Sequence, residues 1–168
     1  MSISINDNHH KLFDKWTLWA HLPHDTCWNK SSYIKIFDFE TVEAAIILSE
    51  SLPDKMICNC MLFLMRFGIN PMWEDPKNRD GGCFSYKVSN KIVQNSWREI
   101  SYKLVGETIT PNELFQKSIN GISISPKKNF CVIKVWMANC NNQDSNIIGE
   151  VAQGITNQGC IFKKHNSQ

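Results

Sequence analysis

The chain has 168 residues, of which 42% are hydrophobic, 20% charged and 11% aromatic, and its formal net charge is +2. That length suits a single domain, residues 1–168, with its own core, in which residues 1–9 are expected to be a flexible tail. The near-neutral charge argues against a long nucleic-acid duplex as partner. No apolar run is long enough to span a bilayer, and "MSISINDNHHKL" lacks the basic-then-apolar order of a secretory signal. A soluble cytosolic or nuclear protein without a membrane partner is the expectation.

In chain order, the first predicted strands are "KWTLWAHL" at 15–22 and "YIKIFDF" at 33–39. A helix is predicted at 42–51, where Val42, Ala44, Ala45, Ile46, Ile47 and Leu48 cover nearly the whole circumference. Such a helix either sits centrally or leaves an apolar face for a partner. The dense apolar run "ICNCMLFLMRF" reads as a strand at 57–67, followed by a loop and a strand at 82–88. The helix predicted at 91–105 is the clearest, because Val93, Trp97, Ile100 and Leu104 form one stripe and Gly106 follows as a stop. Strands at 120–125 and 130–138, a helix at 144–154 and a strand at 160–164 complete the chain. Strands in meander order with interspersed helices imply an α+β fold, an antiparallel sheet covered by helices on one face and open on the other.

Seven scattered cysteines, without a C-x-x-C pair, argue against both a disulfide framework and a zinc site. Of the six tryptophans, Trp16, Trp19 and Trp97 fit core packing, and Trp136, closing a strand, fits either role. Trp28 and Trp73 lie in polar, turn-rich contexts, "HDTCWNKSS" and "NPMWEDPKN", and are expected at the surface or facing a ligand. Pro71 and Pro76 make the second context a loop. The tryptophan there stands directly before two carboxylates, Glu74 and Asp75.

Together "WTLWAHL", "FETVEAAI", "GINPMWEDPKNRDGG", "SWREISYKLVGE" and "VIKVWMANCNN", in this order, resemble the cap-binding translation initiation factor 4E family from His10 to His165. The resemblance implies a curved eight-stranded antiparallel sheet with three helices on its convex face. It also implies that Trp28 and Trp73 sandwich the 7-methylguanine of the messenger RNA cap. N7-methylation makes that base a cation, and stacking on each indole is worth ~0.5–2 kcal/mol. Glu74 would accept from N1–H and the exocyclic amine, and Trp136 would lie against the methyl group. Without the tryptophan pair, Glu74 and Asp75 read equally well as charges solvating a loop.

The triphosphate needs cations, and here the sequence departs from the family. Lys127 falls where the family has an arginine, Asn129 and Val132 where it has lysines, and Cys83 replaces a further arginine. Lys128, Lys77 and Arg79 are candidates to compensate. The expectation is weaker dependence on the phosphate chain and a shallower salt slope than the family shows. A lid over the cap is expected to be missing or shortened after "CIFKKHNSQ". On the helical face the resemblance implies docking of a scaffold initiation factor or repressor carrying a Tyr-x-x-x-x-Leu-apolar motif, at His10–Leu12, Val42, Ile46, Arg98, Glu99, Tyr102 and Gly106. Ile46 stands in place of a tryptophan, and Arg98 and Tyr102 in place of leucines, so altered specificity and simple packing of Ile46 on Tyr102 both fit. The functions in play are a cytoplasmic or nuclear cap-binding initiation factor, a cap-binding repressor or decoy, and, remotely, an enzyme acting on capped RNA. Against the enzyme stands the lack of a metal-ligand spacing, a phosphate-cradling loop or a nucleophile–base pair.

Overall fold

The computed structural model describes residues 9–166, so the expected tail lies outside the described residues except for His9. Seven strands and four α-helices follow in the order β1 (Lys11–His21), β2 (Tyr33–Thr41), α1 (Val42–Ser51), α2 (Asp54–Asn59), β3 (Met61–Arg66), β4 (Gly82–Ser89), α3 (Val93–Val105), α4 (Glu113–Lys117), β5 (Ile119–Pro126), β6 (Phe130–Met137) and β7 (Ile161–Lys164). The fold is the expected α+β curved antiparallel sheet, but among the described residues it has seven strands rather than eight and four α-helices rather than three. The sheet order is β2-β1-β3-β5-β6-β4-β7, and every neighbouring pair is antiparallel. It departs from a simple meander at β4, which lies beyond β6.

Three elements differ from the sequence reading, each for a local reason. The run expected as a strand at 57–67 divides, because Pro53 accepts from the backbone N–H of Met56 and Ile57 and starts α2. Only Met61–Arg66 is strand. Periodicity does not separate a short apolar helix from a short apolar strand. The helix expected at 144–154 shrinks to one 3-10 turn, Ser145–Ile147, capped by Asp144. Gly149 and Gly154, at φ 69 and 79, hold the left-handed backbone that ends helices. Five-residue α4, capped where Asn112 accepts from the Phe115 N–H, is too short to show a period.

Side-chain alternation splits the sheet into two faces. Trp16, Leu18, Leu62, Leu64, Phe84, Tyr86, Ile122, Ile124, Ile133 and Val135 point to the helices and join Val93, Trp97, Ile100 and Leu104 of α3 in the main core. The stripe predicted on α3 is therefore the buried one, and truncating Trp97 to alanine would cost about 3–5 kcal/mol. Helix α1 takes the second of its two options: Ala45 and Ser49 are buried while Val42, Ile46 and Ile47 remain exposed. A smaller cluster, Phe63, Met65, Ile69, Cys83 and Trp136, with Trp19 and Tyr33 against it, lies on the open face.

The C-terminus of α3 corrects another expectation. Gly106 keeps an ordinary φ of −82, and the next residue, Glu107, takes the left-handed backbone at φ 56. Its carboxylate is held by both Arg66 Nη atoms and by Gln116 Nε2, and Arg66 Nε also donates to the Ile119 carbonyl at 2.7 Å. This clamp fixes β3 to the α3–α4 connection.

Candidate functional site

Register places the open face in rows. One row across the sheet is Trp19, Phe63, Ser123, Lys134, Ser85 and Ile161; the next is Thr17, Met65, Gly121, Trp136, Cys83 and Lys163. Trp136 is 7% exposed, and its Nε1–H donates to Ser123 Oγ at 2.9 Å, which fixes the plane of the indole. Of the two options for this residue, the structure shows burial, in the small cluster on the open face.

Trp28 and Trp73 are 53% and 45% exposed, as their polar contexts predicted. Trp28 is not free on both sides. The His21 ring stacks on it at 3.9 Å with 5° between planes, and His21 itself is buried. Its ring nitrogens lie 3.1 Å from the Leu22 carbonyl and 2.7 Å from the Cys27 carbonyl, so one side chain ties both ends of the 22–27 loop and backs the indole. From Trp28 the aromatic contacts run to Tyr33 at 6.3 Å, then from Tyr33 to Phe63 at 5.5 Å and from Phe63 to Trp136 at 6.2 Å. These edge-on contacts are the favourable geometry for aromatic quadrupoles.

The 67–81 loop approaches this line through Glu74. Burial raises the Tyr33 hydroxyl above its usual range, and the negative charge of Glu74 raises it further. Glu74 and Trp73 are exposed, but Asp75 is buried and does not solvate the loop. Asp75 Oδ2 accepts from the Asn70 N–H at 2.8 Å and from Asn70 Nδ2 at 2.9 Å, and Oδ1 accepts from the Lys77 N–H at 2.9 Å. Asn78 Nδ2 donates to the carbonyls of Asn70 and Met72, and Asn120 Nδ2 donates to Asn78 Oδ1 and the Lys77 carbonyl. The two acids divide their roles: Asp75 builds the loop, and Glu74 is left to face outward beside Trp73.

The glycine pair after the loop serves close approach and not turn freedom. A Cβ at Gly81 would meet the Met137 carbonyl oxygen at 1.7 Å, and one at Gly82 the Lys163 carbonyl oxygen at 2.4 Å. Strand β7 therefore packs directly beside β4 and delivers His165 to Trp136, with ring centroids 5.0 Å apart. His165 Nε2 is 3.7 Å from Cys83 Sγ. Burial pushes this imidazole down to about 4 and the Cys83 thiol up to about 12. Both are neutral at neutral pH, so the pair is not the thiolate–imidazolium couple of a cysteine nucleophile. Among the described residues, no three His, Cys, Asp or Glu side chains converge as a metal site.

The expected phosphate residues are spread out. Lys127, Lys128 and Asn129 are exposed at the β5–β6 hairpin, and Arg79 and Lys77 are exposed on the 67–81 loop. Sequence reasoning passed over His21, Tyr33, Lys134 and His165. Lys134 was findable, since period two counted back from Trp136 puts it on the same face. The stacking of His21 depends on a loop path that no spacing reveals.

On the helical face, Val42 N–H donates to the His10 carbonyl at 2.8 Å, and His10 Nδ1 lies 2.6 Å from Glu43 Oε1. The hydrogen bond from His10 holds the Glu43 carboxyl down at about 2. Leu12 packs against the main core. Arg98 reaches the carbonyls of Ser49 and Leu52 and the Asp54 carboxylate, Tyr102 OH donates to Glu50 at 2.8 Å, and Glu99 accepts from the Gln153 N–H. These α3 side chains are tied to neighbouring elements, while Val42 and Ile46 stay exposed.

Residues 11–168 match the family model for eukaryotic initiation factor 4E. The chain is 33% identical over 144 residues to eukaryotic translation initiation factor 4E-2 of Schizosaccharomyces pombe, covering 80% of this chain and 56% of that protein. To the isoform 4E of Solanum lycopersicum it is 30% identical over 147 residues, covering 83% and 71%. The chain thus spans just over half the length of the fission-yeast relative. In structure it is similar to Ascaris suum eIF4E-3 in complex with the m7G cap, with a TM-score of 0.71, 22% identity and coverage of 82% and 78%. It is also similar to C. elegans eIF4E-3 bound to the 4E-binding protein Mextli and a cap analog, with a TM-score of 0.72, 24% identity and coverage of 82% and 79%. The chain belongs to the eukaryotic initiation factor 4E family.

Proposed function

We propose that this protein binds the 7-methylguanosine cap of messenger RNA on the open face of its sheet and acts in translation initiation. The carrying observation is that the two tryptophans outside patterned elements are the two most exposed, and that the loop presenting Trp73 also presents Glu74 outward. In this reading, Trp28 offers the face not covered by His21, Trp73 closes the sandwich, Glu74 accepts from the guanine edge, and Trp136 walls the methyl group. The chemistry is binding without bond-making, consistent with the neutral Cys83–His165 pair. Solved structures of similar proteins in complex with the m7G cap or a cap analog support this reading.

Retention on immobilised 7-methylguanosine, competed by methylated but not by unmethylated nucleotide, is the expected result. Equal competition by both would overturn it. A second reading, a cap-binding repressor or decoy, draws on the helical face, where Arg98 and Tyr102 are engaged within the chain and Ile46 stands in place of an indole. A Tyr-x-x-x-x-Leu-apolar peptide separates the two readings: tight binding favours the initiation factor, and weak binding with suppressed cap-dependent translation favours the decoy.

A further inference from the structure

Resting on the cap-binding reading, we infer that Lys134, with Lys163 across the sheet, forms an anion site beside Trp136 that takes the first phosphate attached to the bound nucleoside. The placement follows from register. Lys134 is two residues from Trp136 on one strand, so about 7 Å separates their Cα atoms and both side chains point to the open face. Lys134 lies between Ser123 and Ser85 in its row, and Lys163 lies directly across Cys83, which itself pairs with Trp136. Two lysines thus sit on the row of Trp136 or the one beside it, close to where a ribose phosphate on that base would emerge.

The surroundings of Lys134 support this assignment. Its charge is felt by the Cys83 thiol and the His165 imidazole, the two groups around Trp136. Among the described residues, no carboxylate pairs with Lys134 or Lys163. Lys87, on the open face of β4, lies over the Phe130 ring, 4.5 Å from its centroid. The hairpin cations are further away: Phe130 is six residues before Trp136, which at strand spacing is about 20 Å, and Lys127–Asn129 lie beyond it. A cation one pleat from Trp136 therefore stands in for those missing at 129 and 132, shifted toward the base. The consequence is a site that gains most from the first phosphate and little from the second and third.

The test is titration of 7-methylguanosine and its mono- and triphosphate, with guanosine and GMP in parallel, against wild type, Lys134→Ala, Lys134→Arg, Lys163→Ala and Lys127→Ala. In wild type, most of the affinity gained from nucleoside to triphosphate is expected at the monophosphate. Lys134→Ala is expected to lose about tenfold for the monophosphate, the size of one charge-assisted contact, with nucleoside affinity unchanged. Its salt slope falls by about 1. Lys134→Arg retains the gain, and Lys127→Ala changes it little. A monophosphate increment untouched by Lys134→Ala, or a loss falling equally on the nucleoside, overturns the inference. Absence of any preference for methylated base in wild type counts against the cap reading instead, because the phosphate increment is read separately in the guanosine series.

Discussion

Replacing Asp75 by asparagine tests whether the Trp73–Glu74 loop is held by one buried carboxylate. In the native loop that carboxylate accepts three hydrogen bonds, two at Oδ2 and one at Oδ1. An amide presents one acceptor oxygen. If that oxygen serves the two Asn70 donors, the new NH2 faces the Lys77 N–H, so one charge-assisted bond is lost and the other two weaken to neutral strength. Losing one such bond costs about 1.5–3 kcal/mol, and the weakening of two others brings the total to about 2–4 kcal/mol. For a domain of this size, that is a fall in melting temperature of about 5–15 °C. If 1.4 kcal/mol of it falls on the closed loop in the free protein, cap affinity drops about tenfold. Differential scanning fluorimetry and tryptophan-quenching titration with 7-methylguanosine triphosphate measure the two effects. Glu74→Gln is the control: it removes an exposed carboxylate, so it should leave stability within about 0.5 kcal/mol while weakening base recognition. Asp75→Asn with unchanged melting and unchanged affinity would refute the division of labour between the two acids.

Further outcomes follow from contacts away from the loop. His165 has a folded value lowered to about 4 by burial, so the unfolded chain binds the extra proton first as pH falls. Its contribution is present above about 6.5 and is lost as pH drops toward 4. Protection of the β7 amides, taken relative to their intrinsic exchange rate at each pH, should fall in that window, and His165→Phe should remove the step. Glu107→Ala removes the bidentate partner of Arg66 and leaves Asp14 and the Ile119 and Gln116 carbonyls to hold the guanidinium, so it should cost about 1.5–3 kcal/mol in urea unfolding, whereas a change under about 0.5 kcal/mol would show the clamp to be passive. Gly82→Ala drives a Cβ into the Lys163 carbonyl, so β7 should detach and lose protection with β1–β3 unaffected. Retained β7 protection in that variant would show that β4 and β7 accommodate the added methyl group without unpairing.

Residue pattern carried much of this architecture. The stripe Val93, Trp97, Ile100 and Leu104 described a helix and its buried face, because a period of 3.6 projects directly into space. Trp28 and Trp73 were legible as exposed because proline, asparagine and serine neighbours leave the chain no regular element in which to bury them. Short elements were not legible. Helix α2, six residues long, and α4, five, depend on one proline carbonyl and one asparagine cap, so nothing in their periodicity distinguishes them from strand or loop.

What the sequence determined by itself was local: which segments are amphipathic, where turns must fall, and that one loop pairs an indole with two acids. Tertiary structure decided which of those acids is structural, since Asp75 and Glu74 are chemically alike and only the donors of Asn70 and Lys77 separate them. It also decided that His21 covers one face of Trp28, that Cys83 and His165 lie beside Trp136, and that Lys134 and Lys163 share its face of the sheet. Such groupings join strands far apart in the chain through register. Register is a property of paired backbones, and no single strand carries it alone.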